Sequence, residues 1–117
     1  MAFAERFEEL EIWQEARRLN MLTYLNLKTC QDWSFRDQFR RAALSVMNNI
    51  AEGFERRTSK DFSRFLDFAK GSSGEVRSMT YAAEDVSILS KDTAIEIRSA
   101  YETLLKRIAS FHNSLKR

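Results

Sequence analysis

Apolar and small side chains recur every seven residues from Phe62 to Val86, and the register does not slip where the chain runs through Gly71-Ser72-Ser73-Gly74. Phe62, Ala69, Val76 and Ala83 make one row and Phe65, Ser72, Met79 and Val86 a second, the spacing of a seam along a helix. By composition alone the four small residues are a linker, and each glycine inside a helix costs about 1 kcal/mol relative to alanine. A flexible loop, however, has no reason to keep phase. The spacing therefore predicts one helix over residues 59–89, roughly 45 Å long, whose small residues let a neighbouring helix approach closely. The competing reading is a break that gives two short helices.

The preceding segment is predicted helical by the same logic. Phe35, Phe39, Ala42, Ala43, Val46, Ile50 and Phe54 recur at steps of three and four, which keeps them on one face over residues 35–54. Ser34, with Asp37 three residues on, is a weakened capping box at its start. Glu55-Arg56-Arg57 is polar, and Thr58 or Ser59 can cap the next helix with Asp61 in its first turn, where a negative charge suits the dipole. A tight reversal at 56–58 is thus expected. If antiparallel helices meet there, level residues have numbers summing to roughly 116, because both advance ~1.5 Å per residue. Arg41 then lies level with Glu75, and Ser45 with Gly71. Close packing is expected of Ala42, Ser45 and Gly53 on one helix and of Gly71, Ser72 and Gly74 on the other.

Two further helices complete the pattern. Over residues 10–28, Ile12, Ala16, Leu19 and Thr23 supply a stripe that Trp13, Tyr24 and Leu25 widen. From 90–93 to 115, Ile97, Tyr101, Leu104, Ile108, Phe111 and Leu115 form another, while Arg98, Glu102, Lys106 and Arg107 face outward. Either Ser90 alone or Thr93 with Glu96 opens that helix. A chain of 117 residues has room for one core. The expected fold class is all-α, an antiparallel up-down-up-down four-helix bundle forming a single domain over residues 1–117.

Composition narrows the function classes. The chain is 44% hydrophobic and 31% charged, without proline, which excludes disorder, and its apolar runs fall far short of the ~20 residues needed to cross a bilayer. Its opening residues are acidic and lack the basic start of a signal peptide; Cys30 is the lone cysteine. A cytoplasmic location and no membrane partner are expected. With His112 the only histidine, no Glu-x-x-His pair exists for a metal, and the glycines at 71 and 74 lack the lysine and spacing of a phosphate loop. No metal, cofactor or catalytic residue is expected.

A net charge of +2 is too small to argue for a nucleic-acid partner by itself, but residues 16–64 are distinctly basic. Arg17, Arg18, Arg36, Arg40, Arg56, Arg57, Lys60 and Arg64 are candidates for a phosphate-binding surface. Against this stands the ordinary behaviour of basic residues near helix ends and in i,i+4 pairs, which is solvated charge.

The order LEIWQEA, then RAALSVMNNIAEGFERRTSKDFSRFLDFAKGSSGEV, resembles the four-helix-bundle proteins encoded by intervening sequences within bacterial 23S ribosomal RNA genes. The matching residues are Trp13 and Ala16, then Arg41, Ala42, Ser45 and Asn49 through Gly53, then Ser59, Phe62, Ala69, Gly71, Ser72 and Glu75. The chain departs from many relatives in having no proline between the first two helices. The resemblance implies a cytoplasmic bundle, commonly a homopentamer, with no assigned catalysis. Relatives of similar fold act as accessory proteins of diversity-generating retroelements, binding reverse transcriptase and nucleic acid; that likeness is of fold, and fold does not transmit function.

Within that family pattern, Arg41 and Glu75 are expected to form a charge pair, with Asn49 and Glu52 hydrogen-bonding nearby, since a buried charge needs a partner. Two functional readings stay open. One is an oligomer binding structured RNA or DNA through an arginine-rich surface of the first three helices. The other is a protein-interaction scaffold whose basic residues are incidental. Aromatics at Phe3, Phe7, Phe35, Phe54, Phe62, Phe65, Phe68, Tyr81 and Tyr101 exceed what one thin bundle readily buries, which favours assembly in either case.

Overall fold

The stretch through residues 71–74 is helical. The structure, a computed structural model describing residues 4–115, has a short 3₁₀ turn at Phe7–Glu9 followed by α1 (Glu11–Asn26), α2 (Trp33–Glu55), α3 (Ser59–Asp85) and α4 (Lys91–Ser114). At ~1.5 Å per residue α3 is about 40 Å long, somewhat short of expectation because it ends at Asp85 rather than residue 89. The molecule measures 45 × 21 × 19 Å.

Each helix buries one stripe. α2 contributes Phe39, Val46, Ile50 and Phe54, α3 Phe62, Leu66, Ala69, Val76 and Ala83, and α4 Ile97, Tyr101, Leu104 and Ile108; α1 adds Ile12, Ala16 and Leu19. A large apolar side chain so buried contributes roughly 1.5–3 kcal/mol, so these stripes are what hold four helices together. α2 packs on α1 and α3, and α4 on α1 and α3, giving a ring of four neighbours around one core. Ser45 meets Ser72, and Gly53 lies under Phe65 and Phe62, so the residue numbers of α2–α3 contacts sum to 115–118, close to the register expected.

Two expectations about small residues are corrected. Gly71 and Gly74 meet nothing within 4 Å of an added Cβ, so they do not mediate close packing. Successive helical residues are rotated by about 100°, and the inward positions are Ser72, which reaches α2, and the fully buried Ser73, whose hydroxyl donates to the Tyr101 carbonyl at 3.3 Å. Gly53 is where the helices do touch. The aromatic surplus also shrinks: Phe54, Phe62, Phe65 and Tyr101 are buried and Phe7 and Phe35 half-buried, leaving Phe68 and Tyr81 exposed. Phe3 lies outside the described residues. Leu25, placed on the α1 stripe by its spacing, is exposed.

The helix ends follow local chemistry. Asp32, not Ser34, caps α2 by accepting the Phe35 N–H; Thr58 accepts the Asp61 N–H and Ser90 the Thr93 N–H. Such a cap contributes about 1 kcal/mol. Arg57 and Ser87 have φ of 67° and 62°, the left-handed region entered just after a helix ends. At Ser87 the stop is complete, with Ile88 N–H donating to Ala83 O at 2.8 Å and Ser87 N–H to Glu84 O at 3.1 Å. Val86 is consequently exposed, and the seam stops with the helix.

Candidate nucleic-acid interface

The eight cations do not share one surface. Arg56, Arg57, Lys60 and Arg64 surround the α2–α3 turn, where three are steadied by aromatic rings. The Arg56 and Arg64 guanidinium carbons lie 5.0 and 5.1 Å from the Phe65 centroid, and that of Arg57 lies 5.3 Å from Phe54. Cation–π contacts of this kind contribute about 0.5–1 kcal/mol at exposed sites, enough to bias where the charges sit. Arg56 also pairs with Glu52 at 3.2 Å and Arg64 with Asp61 at 3.5 Å. Arg57 and Lys60 make no ion pair among the described residues.

The other four sit elsewhere and are engaged locally. Arg36 and Arg40 lie in the first turns of α2, so Arg36 is roughly 30 Å along the axis from Arg56. Arg36 pairs with Asp37 at 3.3 Å. Arg40 donates to the Tyr24 carbonyl at 3.0 Å and lies 4.5 Å from that ring's centroid. Arg17 rests over Trp13 at 5.7 Å. Arg18 pairs with Glu15 at 2.7 Å, and their hydrogen bond holds Glu15 below the usual carboxylate range and raises Arg18.

The expected Arg41–Glu75 pair does not form. Both side chains are exposed and line one cleft of about 510 Å³ between α2 and α3, together with Ser34, Asp37, Gln38 and Ser45 and with Ala42 beneath. Neither makes an ion pair or side-chain hydrogen bond among the described residues. With water to solvate them, two exposed charges gain little by joining, so the burial premise behind the pairing fails. The other polar residues bind within a turn of themselves: Asn49 Nδ2 donates to Ser45 O at 2.8 Å and to Ser45 Oγ at 2.9 Å, and Glu52 takes Arg56. Ser45 Oγ and Ser72 Oγ share the one interhelical hydrogen bond of this row, at 2.9 Å. A smaller cleft of about 300 Å³, lined by Tyr24, Asp37, Arg40, Arg41 and Leu44, adjoins the first across Asp37 and Arg41.

Sequence reasoning missed two polar nodes. Thr23 of α1 and Tyr101 of α4 lie 3.3 Å apart, hydroxyl to hydroxyl, in the core; burial pushes Tyr101 up to about 12, against the opposing effect of the Thr23 hydrogen bond. Arg98, expected to face outward, is half-buried. It donates to Thr80 Oγ1 at 3.0 Å and Glu84 Oε1 at 3.1 Å, and covers the Tyr81 ring at 3.5 Å. The signal available was a polar residue, Thr80, on the buried side of α3 within reach of a helix carrying an arginine. His112, near the end of α4, is buried with Nδ1 3.5 Å from Asp67 Oδ1.

Among the described residues no helix is long and apolar enough to cross a membrane, and no three His, Cys, Asp or Glu side chains are grouped to hold a metal. In comparisons with known proteins, the family model described as 23S rRNA-intervening sequence protein matches residues 8–110. No curated protein matches the chain.

Proposed function

The chain belongs to the 23S rRNA-intervening sequence protein family, and from that premise we propose that it is a non-enzymatic, cytoplasmic bundle that assembles with itself, as a homopentamer, and binds structured RNA or DNA. Its helices run up-down-up-down. That direction is supported by contacts whose numbers fall on one helix as they rise on the next: Ser45 with Ser72 and Gly53 with Phe65, then Phe62 with Phe111 and Thr80 with Arg98.

The observation that carries the nucleic-acid reading is the quartet Arg56, Arg57, Lys60 and Arg64 at the α2–α3 turn, two of them without a carboxylate partner among the described residues. Aromatic rings hold Arg56, Arg57 and Arg64 in place; Arg57 and Lys60 carry no carboxylate, and the exposed pairs of Arg56 with Glu52 and Arg64 with Asp61 are weak enough for phosphate to displace. Four phosphate contacts give a steep salt dependence, on the order of a hundredfold loss of affinity between 50 and 200 mM salt. The test is binding of labelled RNA and DNA hairpins across that range by wild type and by Arg57→Glu/Lys60→Glu. Salt-insensitive retention, or a double variant that binds as well as wild type, counts against the reading.

A second reading, a protein-interaction scaffold with no nucleic-acid role, is favoured by the exposed apolar side chains Met21, Leu25, Trp33, Tyr81, Val86 and Ile95. These six lie toward the α1–α2 and α3–α4 connections, while Leu44 in the middle of α2 and Phe68, packed edge-on against Phe65 beside the basic quartet, are exposed as well. Exposed apolar side chains of this number suit a contact with protein. Sedimentation measures the assembly directly, and a monomer at micromolar concentration counts against the pentamer.

A further inference from the structure

We infer that the cleft between α2 and α3 is a pocket for a single unpaired guanine base, read by Arg41 from one wall and Glu75 from the other. The inference deepens the nucleic-acid reading above and rests on it for the identity of the macromolecule that carries the base.

The charges of the cleft exclude simple ions of either sign. A phosphate placed there meets one free cation, Arg41, and two carboxylates, Glu75 and Asp37, of which only Asp37 is paired, with Arg36 at 3.3 Å. A simple cation is disfavoured by Arg41 in turn. The occupant that fits is neutral overall, with acceptors on one edge and donors on another. The polar floor supports this, because Ser45 Oγ is already fixed by Asn49 and Ser72 at 2.9 Å each, and Ala42 supplies apolar contact for a flat ring. At about 510 Å³ the cleft has room for a nucleoside. Gly71, one turn before Glu75, presents no side chain and has nothing within 4 Å of where one would begin.

Among the four RNA bases only guanine offers both edges. Its O6 and N7 accept two hydrogen bonds from an arginine fork, the pairing that makes arginine a guanine reader. Its N1–H and N2–H₂ are adjacent donors that match the two oxygens of a carboxylate. In adenine and cytosine the amino group stands beside a ring nitrogen whose lone pair repels a carboxylate, and uracil offers a single N–H between two carbonyls. The guanine must be unpaired, because its N1 and N2 groups are occupied in a duplex, and proteins read RNA sequence on bases splayed from loops and bulges.

The register explains why these two residues serve. Ser45 and Ser72 fix the helices side by side at 2.9 Å; one turn along, Arg41 and Glu75 come level on opposite walls of the cleft. Both side chains are solvated at the cleft and turn their hydrogen-bonding groups to whatever displaces that water.

The test is isothermal titration with guanosine, adenosine, cytidine and uridine 5′-monophosphates and with inosine 5′-monophosphate, which lacks the N2 amino group. It is paired with anisotropy of a single-stranded RNA carrying or lacking guanine. Wild type should prefer the guanine nucleotide by about 10- to 100-fold over the others and over inosine by about tenfold. Glu75→Gln, an exposed isostere that threatens no core contact, should abolish that preference, as should Arg41→Ala, while Lys60→Ala should keep it. Equal binding of all five nucleotides, a guanine preference that survives Glu75→Gln, or no nucleotide binding at millimolar concentration overturns the inference. RNA binding that depends on Lys60 but shows no base preference sinks the pocket and leaves the functional reading standing. A guanine preference in nucleotides with no RNA binding does the reverse.

Discussion

A Cβ placed on Gly53 would lie 2.6 Å from the Cβ of Phe65, closer than two such atoms come. This is the point at which α2 and α3 touch backbone against side chain, just before the turn that joins them. Neither atom can rotate away, so relief requires the helices to part. Gly53→Ala is therefore expected to destabilise the protein by about 1–3 kcal/mol, the usual penalty of overpacking. Gly71→Ala and Gly74→Ala fall in open space and are expected to stabilise by up to about 1 kcal/mol each through helix propensity. Urea denaturation of the three variants gives opposite shifts in midpoint if the geometry is right.

Tyr101 gives the stability a high-pH edge. Its folded-state value is raised from 10.0 to about 12 by burial, so the folded state holds the proton more tightly than the unfolded chain does. The contribution is fully present below pH 10 and is lost as pH rises from 10 toward 12, reaching roughly 3 kcal/mol when both states are ionised. Wild type should lose stability between pH 9.5 and 11.5 faster than Tyr101→Phe, measured by denaturant unfolding. Parallel curves would dismiss the assignment.

Arg98 joins three groups of α3. Removing it takes the donor from the Thr80 hydroxyl, which keeps its own bond to the Arg77 carbonyl at 2.6 Å, and it frees Glu84 and uncovers Tyr81. Arg98→Ala is expected to cost about 1–3 kcal/mol. Arg98→Lys should recover only part of this, because an ammonium cannot stack and fork at once. A double-mutant cycle with Glu84→Gln measures the ionic share, and full rescue by lysine would show that planarity is irrelevant.

Ser87 holds a left-handed conformation at φ 62° while completing the stop of α3. Glycine adopts it without the steric cost of a Cβ. Ser87→Gly is expected to raise stability by roughly 0.5–1 kcal/mol; a lower melting temperature for that variant would contradict it.

Helix identity, approximate ends and buried faces were legible because they depend on residues within a few positions of each other. A seven-residue row through GSSG, a threonine before Ser59 and a serine before Lys91 act locally, and the structure has the helix and the caps they call for. The basic cluster was legible only in part. Arg56, Arg57, Lys60 and Arg64 are near one another in sequence and in space, whereas Arg36 and Arg40 belong to the opposite end of the same helix and already hold Asp37 and Tyr24. Arginines spread along a helix become one surface only if a fold brings them there.

What the chain's order of residues determined by itself was four amphipathic helices and the stripe each buries, since periodicity and capping are set by local backbone geometry. Which residue of a stripe meets which neighbour was decided only by the packed bundle. A shift of one position turns a helical side chain by about 100°, so the register within one residue made Ser72, rather than Gly71, the partner of Ser45. The same packing drew Arg98 inward onto Thr80 and kept Arg41 and Glu75 apart on the walls of a cleft. Those contacts depend on the rotation and spacing of whole helices, which every core side chain sets together.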